Sequence, residues 1–337
     1  IYTIFNNMYI VVKKVSWPKM LMVKKFGGTS VADKNRIFNV ATRCAEDYKK
    51  GNKIVLVLSA MGKFTDDLIS LANQINQNKS KREMDMLYTV GEQISVSLMA
   101  MAFESLGIPA ISLNAFQVGI YTDNNYGDAK ITHIETNRIL KELNDNKIVI
   151  VTGFQGIDAN NNYTTLGRGG SDTTAVALAA ALCADSCEIY TDVDGVYTAD
   201  PRIVKSAKKL ENVSYDEMLE FSNCGAGVLH NKCVEIARDN NIKLVVRSSL
   251  SDDEGTVITN YRDVYNLPKI TGVTSCDNVV SIIGINIDSS TMDRVTDVLN
   301  ENHFKYDNLS FNDMEICATV ESNQINSCLN CVHDLFF

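Results

Sequence analysis

Short, almost wholly apolar runs recur along this chain, and between them lie longer stretches in which apolar residues return every three or four positions. The short runs, Met22 to Phe26, Ile54 to Leu58, Ile108 to Leu113, Ile148 to Thr152, Cys187 to Thr191 and Lys243 to Arg247, predict strands buried on both faces. The longer stretches predict helices near 31–50, 66–78, 83–106, 130–146, 171–184 and 230–240; in the first of these, Ile37, Val40, Ala41 and Cys44 fall on one face. Strand and helix in alternation predict an α/β fold, a three-layer αβα sandwich around a mainly parallel sheet. Asp158 to Thr165, with Asn160, Asn161 and Asn162 in a row, reads as a hairpin tip able to act as a lid. After Tyr261 the pattern changes. Pro268 marks a linker into Val279 to Ile287, Ser289 to Asn302, Phe304 to Leu309, Met314 to Glu321 and Gln324 to Asp334, in the order strand, helix, strand, strand, helix. The expected division is an N-terminal extension at 1–20, a larger domain at 21–265 and a smaller α+β domain at 270–337.

Composition narrows the function. The 337 residues are 45% hydrophobic, enough for two domains with a sizeable core. A formal net charge of −9 argues against nucleic acid as a partner, which requires a basic face. Nine cysteines, an odd number scattered through apolar segments, predict reduced thiols and a cytoplasmic setting rather than a disulfide framework. Cys328-Leu329-Asn330-Cys331 is a lone CxxC, and the four histidines show no ligand spacing, so no metal site is expected. No run of about 20 apolar residues predicts a membrane span. In the first 20 residues the charge follows the apolar part, the reverse of a secretory signal; this stretch reads as an appendage, with Met20 or Met22 the expected true start.

Three segments carry chemistry. Lys25-Phe26-Gly27-Gly28-Thr29-Ser30-Val31 places a lysine at a strand end beside two glycines that let backbone approach phosphate oxygens. It has neither the Walker spacing nor that of a dinucleotide fingerprint, and by itself a glycine pair after a strand also suits a plain turn. Leu166-Gly167-Arg168-Gly169-Gly170-Ser171-Asp172 leads into an alanine-rich helix with Ser171 or Asp172 as N-cap; Arg168 offers a planar fork to a carboxylate or phosphate. Tyr190 to Arg202 is a long shaped loop after a strand, where open α/β sheets bind ligands. By themselves, Glu92 suits the dipole of a helix start and Thr65 a helix N-cap.

These segments, with Ser59 to Leu68, Gly91-Glu92, Gly153-Phe154-Gln155-Gly156 and Gly225 to His230 in the same order, resemble the amino-acid kinase superfamily and, within it, the aspartokinase family. The resemblance implies an ATP-dependent kinase that phosphorylates the side-chain carboxylate of L-aspartate, at the entry to lysine, methionine and threonine synthesis. It implies Lys25 on the transferring phosphoryl group with Asp172 holding it. Thr65 and Glu92 match contacts of the amino-acid substrate, with Ser59 close by, and Arg168 matches the grip on its carboxylate. Gly27, Gly28, Gly169 and Gly170 fall to the phosphates; Thr191, Asp192, Tyr197 and Arg202 match nucleotide contacts, with Mg²⁺ carried on the ATP phosphates. One departure stands out: the family's usual Gly-Ala-Lys reads Gly225-Ala226-Gly227 here, with Lys232 five residues on. The C-terminal segment resembles the start of an ACT domain, a βαββαβ module, cut short before its last strand. It implies an amino-acid effector such as lysine or threonine at Asp288 to Met292, where the usual glycine is missing, and a homodimer or higher homo-oligomer. The alternatives are a non-catalytic amino-acid or nucleotide sensor on the same fold, or another kinase of the superfamily.

Overall fold

The structure, a computed structural model, describes residues 2–5, 8–11, 17, 19–260 and 269–337. Two compact units emerge from the packing, one formed by Ile1–Asp194 with Glu235–Glu254 and the other by Gly195–Val234 with Gly255–Phe337.

In the first unit, β1 (Leu21–Phe26), β2 (Lys53–Leu58), β3 (Ala110–Leu113), β4 (Ile148–Thr152), β5 (Ser186–Thr191) and β6 (Leu244–Ser248) lie in the order β6-β5-β1-β2-β4-β3. Every neighbouring pair is parallel. The predicted strands are therefore found, and their unbroken apolar runs have the expected cause: helices cover both faces. The helix α1 (Lys34–Lys49) is capped by Asp33, whose carboxylate accepts from the Arg36 amide, and it buries Ile37, Val40, Ala41 and Cys44 as its pattern predicts. The helices α2 (Phe64–Ile75), α3 (Lys81–Tyr88) and α4 (Val90–Ser105) follow. Alternation along β1 sends Lys24 and Lys25 to opposite faces. Lys24 is 1% exposed, with Nζ 2.5 Å from Asp47 and 3.1 Å from Glu188. Burial works against its charge, but Glu188 leads a set of neighbours that hold its pKa above the usual lysine range. Tyr190 stacks on Phe26 at 4.3 Å and donates to Glu188 at 2.7 Å, tying β5 to β1.

Several elements differ from expectation. Part of the helix predicted at 130–146 is a strand, Ile131–Ile134, paired with Ile120–Thr122; its isoleucines bracket Thr132 and His133, and the helix begins only at Asn137. The stretch at 83–106 is α3 and α4, separated by Thr89. Together these run 25 residues, Lys81–Ser105, long and apolar enough in composition to cross a membrane; half of that apolar window is buried in the protein, with Met99 and Phe103 in the sheet's core, as in a core helix. The helix α5 (Gly170–Leu182) is capped not by Ser171 or Asp172 but by Gly169, in the left-handed region at φ 70°, so both side chains lie inside the first turn. The hairpin of Gln155–Ile157 and Tyr163–Thr165 is present. Its tip is strapped down: the Asp158 carboxylate accepts from the Asn160 and Asn162 amides and the Tyr126 hydroxyl, and Arg82 donates to Asn162. A hairpin tied at this many points is a rigid turn rather than a lid.

The second unit contains β7 (Lys269–Cys276), β8 (Val279–Ile285), α6 (Ser289–Glu301), β9 (Tyr306–Phe311), β10 (Glu315–Val320) and α7 (Ile325–Phe336). Its antiparallel sheet runs β7-β8-β10-β9, a split βαβ pattern of the ACT-like kind. The edge position beside β8 is taken by β7, which enters the module from its N-terminal side and which the sequence pattern did not reveal. The linker expected at Pro268 lies outside the described residues. Ala199 and Val204, from the loop 195–210, share one apolar core with Val280, Ile282, Val295, Ile316, Leu329 and Val332. The same loop is fastened to α7: Thr198 Oγ1 lies 2.9 Å from the buried His333 Nε2, and Lys208 Nζ donates to the Phe337 carbonyl at 3.0 Å.

Candidate active site

In the first unit the C-terminal ends of β1, β2 and β4 turn beside one another. The Ser59 amide donates to the Phe26 carbonyl and the Gly153 amide to that of Leu58. Ligands of open α/β sheets bind at this end. Lys25, second to last in β1, is 9% exposed, and its Nζ lies 2.6 Å from Asp172 Oδ1 in the first turn of α5. The two residues are 147 apart in sequence (172 minus 25) and meet because β1 and α5 converge on the strand ends. The glycines beside them are demanded by space. A Cβ on Gly28 would lie 2.6 Å from the Ala60 carbonyl, and one on Gly153 2.6 Å from Ser171 Oγ. Ser59 Oγ donates to Ser171 Oγ at 2.9 Å, linking the β2 end to α5.

Glu92, the third residue of α4, is 3% exposed. Its Oε1 accepts from the Ala60 amide at 3.1 Å, while Oε2 is buried without a partner. Burial pushes this carboxyl up to about 7. A carboxylate that is half satisfied inside the protein is a place for a cationic donor, because an unpaired buried acceptor is costly. Thr65 is the second residue of α2 and half-buried; the N-cap position belongs to Lys63, so the capping reading of Thr65 falls. Arg168 is exposed and makes no hydrogen bond or ion pair among the described residues, between Gly167 and Gly169 at φ 75° and 70°. Gly170 is buried so closely that a Cβ would lie 2.7 Å from the Phe154 ring. Thr191 ends β5, its hydroxyl donating to Asp192 at 3.0 Å.

The other sequence-predicted residues belong to the second unit. Tyr197 is half-buried and bridged to Lys209. Arg202 is exposed and holds Asp200 through Nε and Nη2, the latter at 2.7 Å. Gly227 has open space around it, and Lys232 is the second residue of the helix Asn231–Asp239. Sequence reasoning passed over Ser171 and Ser30. The first was weighed only as a cap, and the second has a buried hydroxyl without a partner inside the glycine-rich turn. Among the described residues, Glu220, Cys224 and Glu315 lie close enough to hold an ion, but burial pushes the Cys224 thiol up to about 12 and it donates to Glu315 at 3.1 Å. A metal needs the thiolate.

The sequence pattern of the amino acid kinase family matches residues 20–248. The chain belongs to that family. Within it the chain falls among the aspartokinases: the aspartokinase of Bacillus sp. (strain MGA3) is 52% identical over 289 residues, 85% of this chain and 70% of that protein. The structure of E. coli aspartokinase III in complex with aspartate and ADP, in its R-state, superposes with a TM-score of 0.82 at 21% identity, covering 94% of this chain and all of that one. The same enzyme with lysine and aspartate, in its T-state, gives a TM-score of 0.67 at 25% identity over 89% of this chain and 79% of that one. This family member thus shares the α/β fold of aspartokinase from the parallel sheet to the ACT-like region.

Proposed function

We propose that this chain is an aspartate kinase, transferring the γ-phosphoryl group of ATP to the side-chain carboxylate of L-aspartate to give L-aspartyl 4-phosphate and ADP, the first step toward lysine, methionine and threonine. The observation that carries the reading is the Lys25–Asp172 pair at the strand ends, in the same unit as a buried carboxylate with one free oxygen, Glu92. Phosphoryl transfer needs positioning and charge neutralisation more than covalent help. Lys25 supplies a cation for the oxygens of the moving group, and Asp172 fixes its amine. Gly27, Gly28, Gly169 and Gly170 offer bare backbone to the phosphates. Glu92 takes the substrate ammonium, Arg168 a carboxylate bidentately, and the Thr65 and Ser59 hydroxyls help orient the acceptor. An oxygen of the side-chain carboxylate then attacks the γ-phosphorus, and the bond to the ADP oxygen breaks. Thr191 and Asp192, with Tyr197 and Arg202, carry the nucleotide contacts that the resemblance implies. Mg²⁺ would be carried on the ATP phosphates and waters and would supply charge neutralisation there, as this hard ion commonly does.

Residues 21–265 act as the catalytic domain and 270–337 as an ACT-like regulatory domain for an amino acid such as lysine or threonine, in a homo-oligomer. Trapping the acyl phosphate with hydroxylamine in the presence of ATP, Mg²⁺ and L-aspartate tests the reading, with glutamate, acetylglutamate, carbamate and UMP run in parallel. Product with aspartate alone supports it. Binding of ATP or an amino acid without product on any acceptor favours the sensor, for which the uncharged Gly227 is the motive.

Two variants follow from the geometry. Arg168→Ala removes an exposed side chain that makes no hydrogen bond or ion pair among the described residues, so it should raise the aspartate KM by about 10–100-fold while melting is unchanged; an unaltered aspartate dependence removes Arg168 from the site. Gly28→Ala must displace the turn after β1 or the Ala60 carbonyl. Turnover should fall at least about tenfold with a stability loss of about 1–3 kcal/mol, read by steady-state kinetics and urea unfolding. Full activity would show that the turn is loose.

A further inference from the structure

Between Glu83 and Glu104 the helical segment α3–α4 contains two charged residues, Asp85 and Glu92, and both are buried. Thr89, between the two helices, keeps a right-handed helical backbone at φ −63° and ψ −12°, so the twist runs through from one to the other. At about 100° per residue, Met86, Val90, Ile94, Leu98 and Met101 share about a third of the circumference. This side lies opposite Met99 and Phe103, which pack into the sheet's core. The five side chains are 37% to 60% exposed, with the uncharged Gln93, Ser97 and Ala100 beside them. A surface helix ordinarily turns charge to water, and one that is apolar all round is covered on every side.

The spacing of the stripe says what covers it. Val90 and Leu98 stand four residues either side of Ile94, and Met86 and Met101 stand eight before and seven after it. A two-fold axis beside Ile94 therefore sets an antiparallel copy of the same helix against this one, with Ile94 on Ile94, Val90 on Leu98 and Met86 on Met101. Such a pair brings the Arg82 end of each helix to the Glu104 end of the other, and the positive end of each helix dipole to the negative end of its neighbour. The five side chains expose about 400 Å² of apolar surface, about half of the ~800 Å² that each partner gives to a stable interface, and their uncharged neighbours extend it. A lipid surface suits the stripe less. A helix lying on a bilayer carries lysine and arginine along its polar margin, whereas Gln93, Ser97 and Glu104 border this one.

We propose that the outer face of α3–α4 is an interface between two copies of this chain, packed antiparallel about a two-fold axis near Ile94. The inference deepens the reading of the chain as a homo-oligomer, and rests on it.

The test measures the mass of the full chain by sedimentation equilibrium, unaltered and as Ile94→Glu and Leu98→Glu. At concentrations where the unaltered chain is assembled, each variant should halve the assembled mass, because an unpaired charge is then enclosed between apolar helices. Both positions are exposed in the single chain, so helix content by circular dichroism should be unchanged. Ile94→Cys, nearest the axis, should give a disulfide-linked pair on mild oxidation in higher yield than the unaltered chain; Leu250→Cys, exposed elsewhere on the molecule, should not. Full assembled mass in both glutamate variants, or no gain in linkage from Ile94→Cys in an assembled chain, would overturn the proposal and leave the homo-oligomer reading standing with its interface elsewhere. An unaltered chain that is monomeric throughout would overturn both, and binding of that monomer to vesicles of phosphatidylcholine and phosphatidylglycerol would assign the stripe to a lipid surface.

Discussion

Lys25→Ala is expected to lower turnover by about a thousandfold or more, the scale seen when one preorganised charge donor is removed from a transition state. The amine lies where β1 ends, is nearly buried and touches Asp172 at 2.6 Å, so neither bulk water nor a neighbouring cation can stand in for it. Arginine is not a substitute, because a planar fork of five donors cannot occupy the space of a compact ammonium. Asp172→Asn should cost less, since an amide keeps the shape and loses only the charge that steers the lysine. The double variant should be hardly slower than Lys25→Ala by itself, as residues acting as one unit are non-additive. Single-turnover mixing with saturating ATP and aspartate measures this directly. Turnover near that of the unaltered chain after Lys25→Ala would take the lysine out of the mechanism.

Glu92 carries the second large effect, and its sign can be worked out. Burial raises this carboxyl from an ordinary 4.5 to about 7, so in the empty site it is neutral below that pH and charged above it. An α-ammonium needs the charged form. Aspartate affinity should therefore rise as pH increases through about 7, and Glu92→Gln should raise the aspartate KM on the order of a hundredfold and flatten that limb. Stability runs the other way. Between about 4.5 and 7 the unfolded chain has released a proton that the folded chain retains, so the unliganded protein loses stability across this window as pH rises. Bound aspartate should offset the loss. Melting curves at both ends of the window, with and without aspartate, check it; a slope that survives in Glu92→Gln would assign it to other groups.

Much of this was written plainly in the sequence, and what was not has a physical cause. The six parallel strands were legible because a parallel sheet covered on both faces favours short apolar runs, as in Ile148–Thr152. Lys25 and Asp172 were legible as members of two glycine-rich motifs, though only folding puts 2.6 Å between them. The segment 130–146 was misread because Ile131 and Ile134 stand three apart, a spacing that also suits a helix, and pairing with Ile120–Thr122 decided the matter from a distance. The cap of α5 went to Gly169 rather than to a serine or aspartate because the left-handed turn at Gly167 and Gly169 brings the chain into the helix two to three residues earlier than Ser171 or Asp172. Asp85 gave no signal at all. Its buried carboxylate accepts from the Gly127 and Thr165 amides, 42 and 80 residues away, and a lone aspartate in a helical stretch ordinarily reads as solvated surface.

The place of the loop 195–210 bears on how such a protein can be taken apart. By sequence the loop continues the larger domain, yet Ala199 and Val204 are buried among the side chains of the C-terminal sheet and helices, Thr198 is bonded to His333 of α7, and Lys208 to Phe337 just after it. Shortening the chain before Lys269 would strip the covering from that loop instead of releasing an intact smaller enzyme. Grafting a C-terminal module from another kinase would meet the same obstacle in reverse, since the incoming module would lack the pocket into which Val204 fits. The heritable unit for recombination in this fold is the module together with the loop it encloses.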